Sequence, residues 1–123
     1  WRIRKVLTKS DTNDCSRLLI ATDTARQHVF PYLAPAEAEK VESGGPKGDG
    51  AADVVVWDGD TGSEHRLQFR RWNSSGCYVF NNEWQGGFVR RRQLEEGDEV
   101  GLYFDGRRRR FVFSVLNRAA NRN

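Results

Sequence analysis

Apolar residues in this chain come in short runs broken by Gly, Asn and Asp, and no segment sustains a helical apolar period. That pattern predicts a mostly β fold, a barrel or a sandwich. Ile3 to Leu7 and Arg17 to Ala21 read as the first two strands, joined by a polar loop from Thr8 to Ser16. Thr22 or Asp23 suits the N-cap of a short helix in which Ala25 and Val29 lie one turn apart, and Pro31 ends it. The stretch from Ala34 to Ala52 is rich in Ala, Glu, Gly and Pro without an apolar period, so a mobile acidic loop is expected there.

Further along, Asp53 to Trp57 reads as a buried strand, because Val54, Val55, Val56 and Trp57 are apolar on both faces. Asp58 to Gly62 supplies a turn, and His65 to Arg71 returns with Leu67 and Phe69 on one face. Cys77 to Asn81 completes a hairpin, and Gly87 to Arg92 is expected to form a short helix anchored by Phe88 and Val89. Val100, Leu102 and Phe104 share one strand face, Asp105-Gly106 is a hairpin turn signal, and Phe111, Phe113 and Val115 match it. The expectation is seven strands and two short helices.

At 123 residues the chain is long enough for one core but not two, so a single domain over 1–123 is expected. It begins at Trp1 rather than Met, which suggests a piece of a larger protein. No apolar run approaches the roughly 20 residues that span a bilayer. Cys15 and Cys77 fit a reduced intracellular protein better than a disulfide scaffold.

The net charge of +3 conceals an asymmetry: residues 37–64 hold eight acids against Lys40 and Lys47, leaving the rest of the chain at +9. Sixteen of the twenty basic residues are Arg, the residue suited to bidentate recognition of phosphate and guanine. Basic surface residues also confer solubility, so charge alone does not decide for nucleic acid.

The most informative stretch is Leu67 to Phe104. A strand ends in Arg70-Arg71-Trp72, a polar turn Asn73-Ser74-Ser75-Gly76 follows, and a second strand opens at Cys77. Arginine can neutralise phosphate while Asn and Ser donate and accept at base edges, so the hairpin suits a nucleic-acid groove. Beyond it come a Trp/Gly/Phe segment, Arg90-Arg91-Arg92, and the acidic turn Glu95-Glu96-Gly97-Asp98. This order resembles the C-terminal half of the plant B3 DNA-binding domain. The other half agrees: Ser10-Asp11, a loop, Arg17-Leu18-Leu19-Ile20, then His28-x-Phe30-Pro31. The resemblance runs from about Arg4 to Val115 and is strongest to the RAV group and the seed-maturation regulators.

The resemblance implies a seven-stranded open pseudobarrel with a short helix near each end. It also implies double-stranded DNA as partner, a place in the nucleus, other transcription factors as further partners, and two loop arms entering the major groove. Carried over by position, Lys9, Ser10, Thr12, Asn13 and Arg17 form the first arm. Arg70, Arg71, Trp72, Asn73, Ser74, Ser75 and Gly76 form the second. The family commonly has Pro-Lys after its second strand where this chain has Ala21-Thr22, so Thr22 offers a hydroxyl without the charge, and Arg26 is a candidate to compensate.

Several readings stay open. Trp72 either packs under the hairpin or touches a sugar-phosphate edge. Asp11 and Asp14 either shape the first loop, orienting Lys9 or Arg17, or Asp11 accepts from a cytosine amino group. The triplet Arg90–Arg92 and the quartet Arg107–Arg110 are either phosphate contacts or solvated faces, with Arg92 placed away from the groove. Two alternatives to duplex binding remain: a β-barrel protein-interaction module that has lost DNA affinity, and a single-strand binder using exposed aromatics. Catalysis is not expected, and neither is a cofactor or metal. His28 and His65 lie far apart, no Cys-x-x-Cys occurs, and Gly44-Gly45 and Gly86-Gly87 lack a phosphate-loop context.

Overall fold

Alternation builds the barrel. On β4 (Ser63–Trp72) Leu67 and Phe69 face inward, and they meet Val54 and Ala52 of β3 (Ala51–Asp58) on one side and Phe80 of β5 (Cys77–Asn82) on the other. The computed structural model describes residues 1–13, 15–44, 50–72 and 77–119. The remaining strands are β1 (Ile3–Val6), β2 (Leu18–Ile20), β6 (Glu99–Asp105) and β7 (Arg110–Asn117). Together they form one seven-stranded sheet in the order β1-β6-β7-β3-β4-β5-β2, all antiparallel except the short β3–β7 pairing. The sheet curls around an aromatic core of Phe69, Phe80, Phe88, Phe111 and Phe113, each at most 1% exposed. The expected open pseudobarrel is therefore the fold found.

Its two lips, β1 and β2, are not paired to each other, which leaves backbone groups of β2 facing a seam. Side chains close it. Lys5 Nζ donates to the Leu19 carbonyl at 2.7 Å, and the Leu19 amide donates to Asp11 Oδ1 at 3.1 Å. Lys5 and Asp11 are themselves 3.5 Å apart. An ammonium and a carboxylate thus stand in for the missing neighbour strand, satisfying both polar groups of the one residue that turns them outward.

The helices differ from expectation. α1 (Lys9–Thr12) puts a turn of helix inside the first loop, and α2 (Thr22–His28) is the short helix expected before Pro31, but Ala21, with no capping side chain, holds its N-cap in place of Thr22 or Asp23. After a 3-10 turn (Phe30–Tyr32), the stretch from Ala34, expected as a loop, holds α3 (Pro35–Ser43). Pro35 occupies the first turn, where its missing N–H costs nothing, and Gly44 ends the helix in the left-handed region at φ 78°. One apolar anchor, Val41 at 0% exposure, ties it to the core, too few to register as a period. The strand that follows also begins earlier than read, at Ala51. The helix expected at Gly87–Arg92 is a π-helical turn spanning Gln85–Arg90.

Two acids, one buried and one exposed, fix strand ends. Asp58, at 0% exposure, accepts from Arg91 Nη2 at 2.7 Å and Arg92 Nη1 at 2.6 Å, while Asp60 accepts from Arg92, the Ser114 hydroxyl and the Val115 amide. Burial alone would raise the Asp58 carboxyl, but the hydrogen bonds from Arg91, Arg92 and the Asp60 amide outweigh it and hold the group below its ordinary value. Asp60 is lowered in the same way, its burial outweighed by Ser114, Val115 and Arg92.

Two outcomes follow from this packing. Val41→Ala lowers unfolding free energy by about 1–3 kcal/mol, and replacing residues 35–43 with a Gly/Ser linker lowers it further, as measured by urea denaturation. An unchanged midpoint in both variants would mean that α3 does not hold the barrel. The second concerns acid. Because the folded value of Asp58 is depressed, its stabilisation is full above the unfolded carboxylate value and is lost as pH falls through the folded one. Thermal melts from neutral to acid pH show this as a falling midpoint below about pH 4. Asp58→Asn starts from a lower midpoint and falls less steeply.

Candidate nucleic-acid interface

The first loop is built around Asp11, whose carboxylate is fully buried. Oδ2 accepts from the Thr8 amide at 2.8 Å and the Thr8 hydroxyl at 2.9 Å, which starts the helical turn α1. Oδ1 receives Arg17 Nη1 at 3.1 Å, and the Asp11 carbonyl accepts the indole N–H of buried Trp84 at 2.7 Å. Held this way, α1 presents Lys9 and Asn13 to solvent and leaves Ser10 and Thr12 half-buried. Thr12 returns its hydroxyl to the Lys9 carbonyl, and Asn13 Oδ1 accepts the Cys15 amide. Ser16 sits at φ 57° and donates to Gln85 Oε1 at 2.9 Å, tying the loop to the π-helical turn.

Arg17 is the residue that joins the two loops. It is 7% exposed, bonded to Asp11 and to Ser10 Oγ (3.0 Å), and its guanidinium lies 5.3 Å from the ring centre of Trp72 at the end of β4. Asp11 therefore does orient Arg17, and its burial excludes the alternative of a base contact by Asp11 itself. Arg17 Nε is buried without a hydrogen-bond partner among the described residues. Under this strut the outer face of β2, β5 and β4 carries the row Leu19, Val79 and Arg70, with Val79 at 0% exposure yet outside the main core cluster. The inner core thus has a small outer counterpart between the loops.

Trp72 is half-buried, so both of its readings keep a foothold. Arg70 is half-buried, and exposed Arg71 donates to the Glu42 carbonyl at 3.0 Å. Asn73, Ser74, Ser75, Gly76 and Asp14 lie outside the described residues. Thr22 is half-buried at the start of α2. Arg26, the candidate to replace the family's Lys, pairs with Glu42 at 2.8 Å, and Tyr78 donates to the same carboxylate at 3.3 Å.

Sequence reasoning missed Glu42, Trp84 and Gln85, which position the loops without belonging to them. The Thr8-x-x-Asp11 spacing of a helix start was the available signal for α1. Arg92 is not a solvated helical residue: it is clamped between Asp58 and Asp60, and Arg91 shares Asp58. Of the triplet, only Arg90 is exposed without a carboxylate partner among the described residues.

Comparison with known proteins matches this fold. The family described as B3 domain-containing protein At5g26805, C-terminal domain, covers residues 1–116. The B3 domain-containing protein At1g78640 of Arabidopsis thaliana is 39% identical over 118 residues, 96% of this chain and 22% of its own. The AP2/ERF and B3 domain-containing transcription repressor TEM1, also from Arabidopsis thaliana, is 32% identical over 96 residues, 78% of this chain and 25% of its own. The chain thus spans about a quarter of the length of these relatives. Among solved structures, the Arabidopsis FUS3-DNA complex superposes with a TM-score of 0.70 at 23% identity, covering 96% of this chain and 97% of that one. The Arabidopsis thaliana LEC2-DNA complex gives a TM-score of 0.66 at 21% identity, covering 93% and 90%. With a family match along nearly its whole length and the pseudobarrel in place, the chain belongs to the B3 domain-containing family.

Proposed function

We propose that this chain is a sequence-specific double-stranded DNA-binding domain of a plant transcription factor, acting in the nucleus with both loops in one major groove. The observation that carries this is the Arg17 strut, which fixes two polar, basic loops against each other around a common outer face. Support also comes from the relatives: FUS3 and LEC2 are described as complexes with DNA, and TEM1 as a transcription repressor. These are binding domains rather than enzymes. Among the described residues no cluster of three or more metal-ligating side chains occurs, and no helix is long and apolar enough to cross a membrane.

In this reading Lys9, Arg70 and Arg71 meet phosphates, and the Thr22 hydroxyl adds a neutral positional contact. Asn13, Asn73, Ser74 and Ser75 read base edges, with the Ser10 and Thr12 hydroxyls behind them. Arg17 contributes by position, since Asp11 neutralises its charge and its Nε is buried.

Three phosphate-neutralising cations predict that log K falls with log[salt] at a slope of about −2.7, at roughly 0.9 per phosphate. Lys9→Ala makes the slope shallower by about one unit on every duplex. Arg17→Ala weakens binding and leaves the slope in place. Titrations of fluorescent duplexes across several salt concentrations separate these; a slope change for Arg17 but none for Lys9 would put the backbone on the wrong loop. Wild-type chain that bound no duplex at low salt would hand the lead to a protein-interaction module.

The hairpin has its own test. Asn73→Ala costs roughly 1–3 kcal/mol on the best site and relaxes preference at one or two base pairs. Binding to all single-base variants of a site selected from a random pool measures this. Unchanged base preference would remove the hairpin from the reading role.

A further inference from the structure

A second surface lies away from both loops. β3 pairs with β4 along its whole length, from Ala51 to Asp58, but its register with β7 starts only at Val56. Beside Asp53 to Val55 the lane that β7 would fill is a cleft of about 290 Å³, floored by Leu33, Val54 and Phe111 and walled by Tyr32 and Phe104. Those two rings stack at 4.6 Å with 10° between their planes, and Tyr32 is 43% exposed, one of the few large apolar side chains left in solvent.

The far rim is basic. The β6–β7 turn carries Arg107, Arg108, Arg109 and Arg110, of which only Arg108 pairs with a carboxylate, Asp105, among the described residues. Arg109 holds a left-handed φ of 53°, a conformation non-glycine residues rarely adopt, and Arg110 Nε is buried with no hydrogen-bond partner among the described residues. Glu37 and Asp53 stand on the near side, Asp53 accepting from Gln68 Nε2 at 3.3 Å. Carboxylates and arginines therefore share the lining of the cleft, with further arginines on the turn beside it.

We propose that this cleft is a docking site for an extended acidic segment of a partner protein, added as a short strand in the lane beside β3. Backbone groups on the open edge supply strand pairing, as in other cases of strand addition. The Tyr32–Phe104 pair takes an apolar or aromatic side chain. Acidic residues of the segment meet Arg109 and Arg110, which line the cleft, and repulsion from Glu37 and Asp53 keeps them on the arginine side. Because no residue lining the cleft belongs to either loop, partner and duplex bind together.

The probe is a display library of random short peptides selected on the folded chain. The expected result is enrichment of peptides that combine Asp or Glu with β-branched or aromatic residues. Their affinity drops about tenfold or more for Arg109→Glu and for Tyr32→Ala, with both variants still unfolding cooperatively and the thermal midpoint of Arg109→Glu unchanged. Amide resonances of residues 51–55 and 107–111 shift on adding an enriched peptide, and those of 8–17 stay. Failure to enrich any acidic peptide overturns the proposal, as does retained affinity in both variants or shifts confined to the loops. Should Arg109→Glu instead make the salt dependence of duplex binding shallower by about a unit while peptide binding is absent, the quartet belongs to a DNA backbone and the docking site is lost.

Discussion

The carboxylate of Asp11 is the contact on which the rest of this structure leans. In one buried group it starts the helical turn of the first loop, closes the seam between β1 and β2, and holds Arg17 under Trp72. A pseudobarrel with an open seam must satisfy the backbone of its lip strands by some other means, and here the Lys5–Asp11 pair does it at Leu19. The same atoms that finish the fold thus set the geometry of the first loop. A buried pair of this kind is not by itself a large source of stability, since desolvation offsets much of the attraction. Its value lies in specifying one arrangement: with several donors converging on it, the carboxylate has few alternative places to be.

That arrangement explains why the interface can be stiff without much secondary structure. α1 is a single turn, and Asn13, Cys15 and Ser16 are irregular backbone. What fixes them is anchorage at both ends. Trp84 grips the Asp11 carbonyl, Gln85 grips Ser16, and Arg17 spans to the hairpin base. Glu42 of α3 does the same for the other side, receiving Arg26, Tyr78 and, through its carbonyl, Arg71. An ordered loop loses less conformational entropy on binding, which is where preorganisation contributes to affinity.

Much of the barrel was legible in the sequence because strand alternation is a two-residue signal. Leu67 and Phe69, Val100 and Leu102, and Phe111 and Phe113 each announce an inner face, and each pair is buried. α3 was not legible because a helix lying over a barrel end needs only Val41 inside; the rest of its sequence reads as polar filler. The π-helical turn was misplaced by two residues because Phe88 and Val89 mark a buried spot without stating its helical pitch. The proposed site residues of the loops rest on Asn, Ser and basic residues at their family positions. What could not be read was the use of charge: an Arg in sequence does not declare whether its partner is phosphate or a buried aspartate.

That ambiguity has a physical resolution. Arg17 and Arg92 point inward to Asp11 and Asp58, and exposed Arg91 also pairs with Asp58, so the basic charge open to a ligand is smaller than the composition suggests. Pairs this enclosed lie within a few ångströms and out of solvent, where salt screens little. Lys9 and the solvent-facing arginines stand in water, where each counterion released on binding is felt directly. Salt therefore acts on the two populations of positive charge very differently: conditions that strip a polyanion from the surface leave the Asp11 and Asp58 clamps, and with them the shape of the loops, in place. In the proposed reading, the interface releases its ligand without giving up the geometry needed to bind it again.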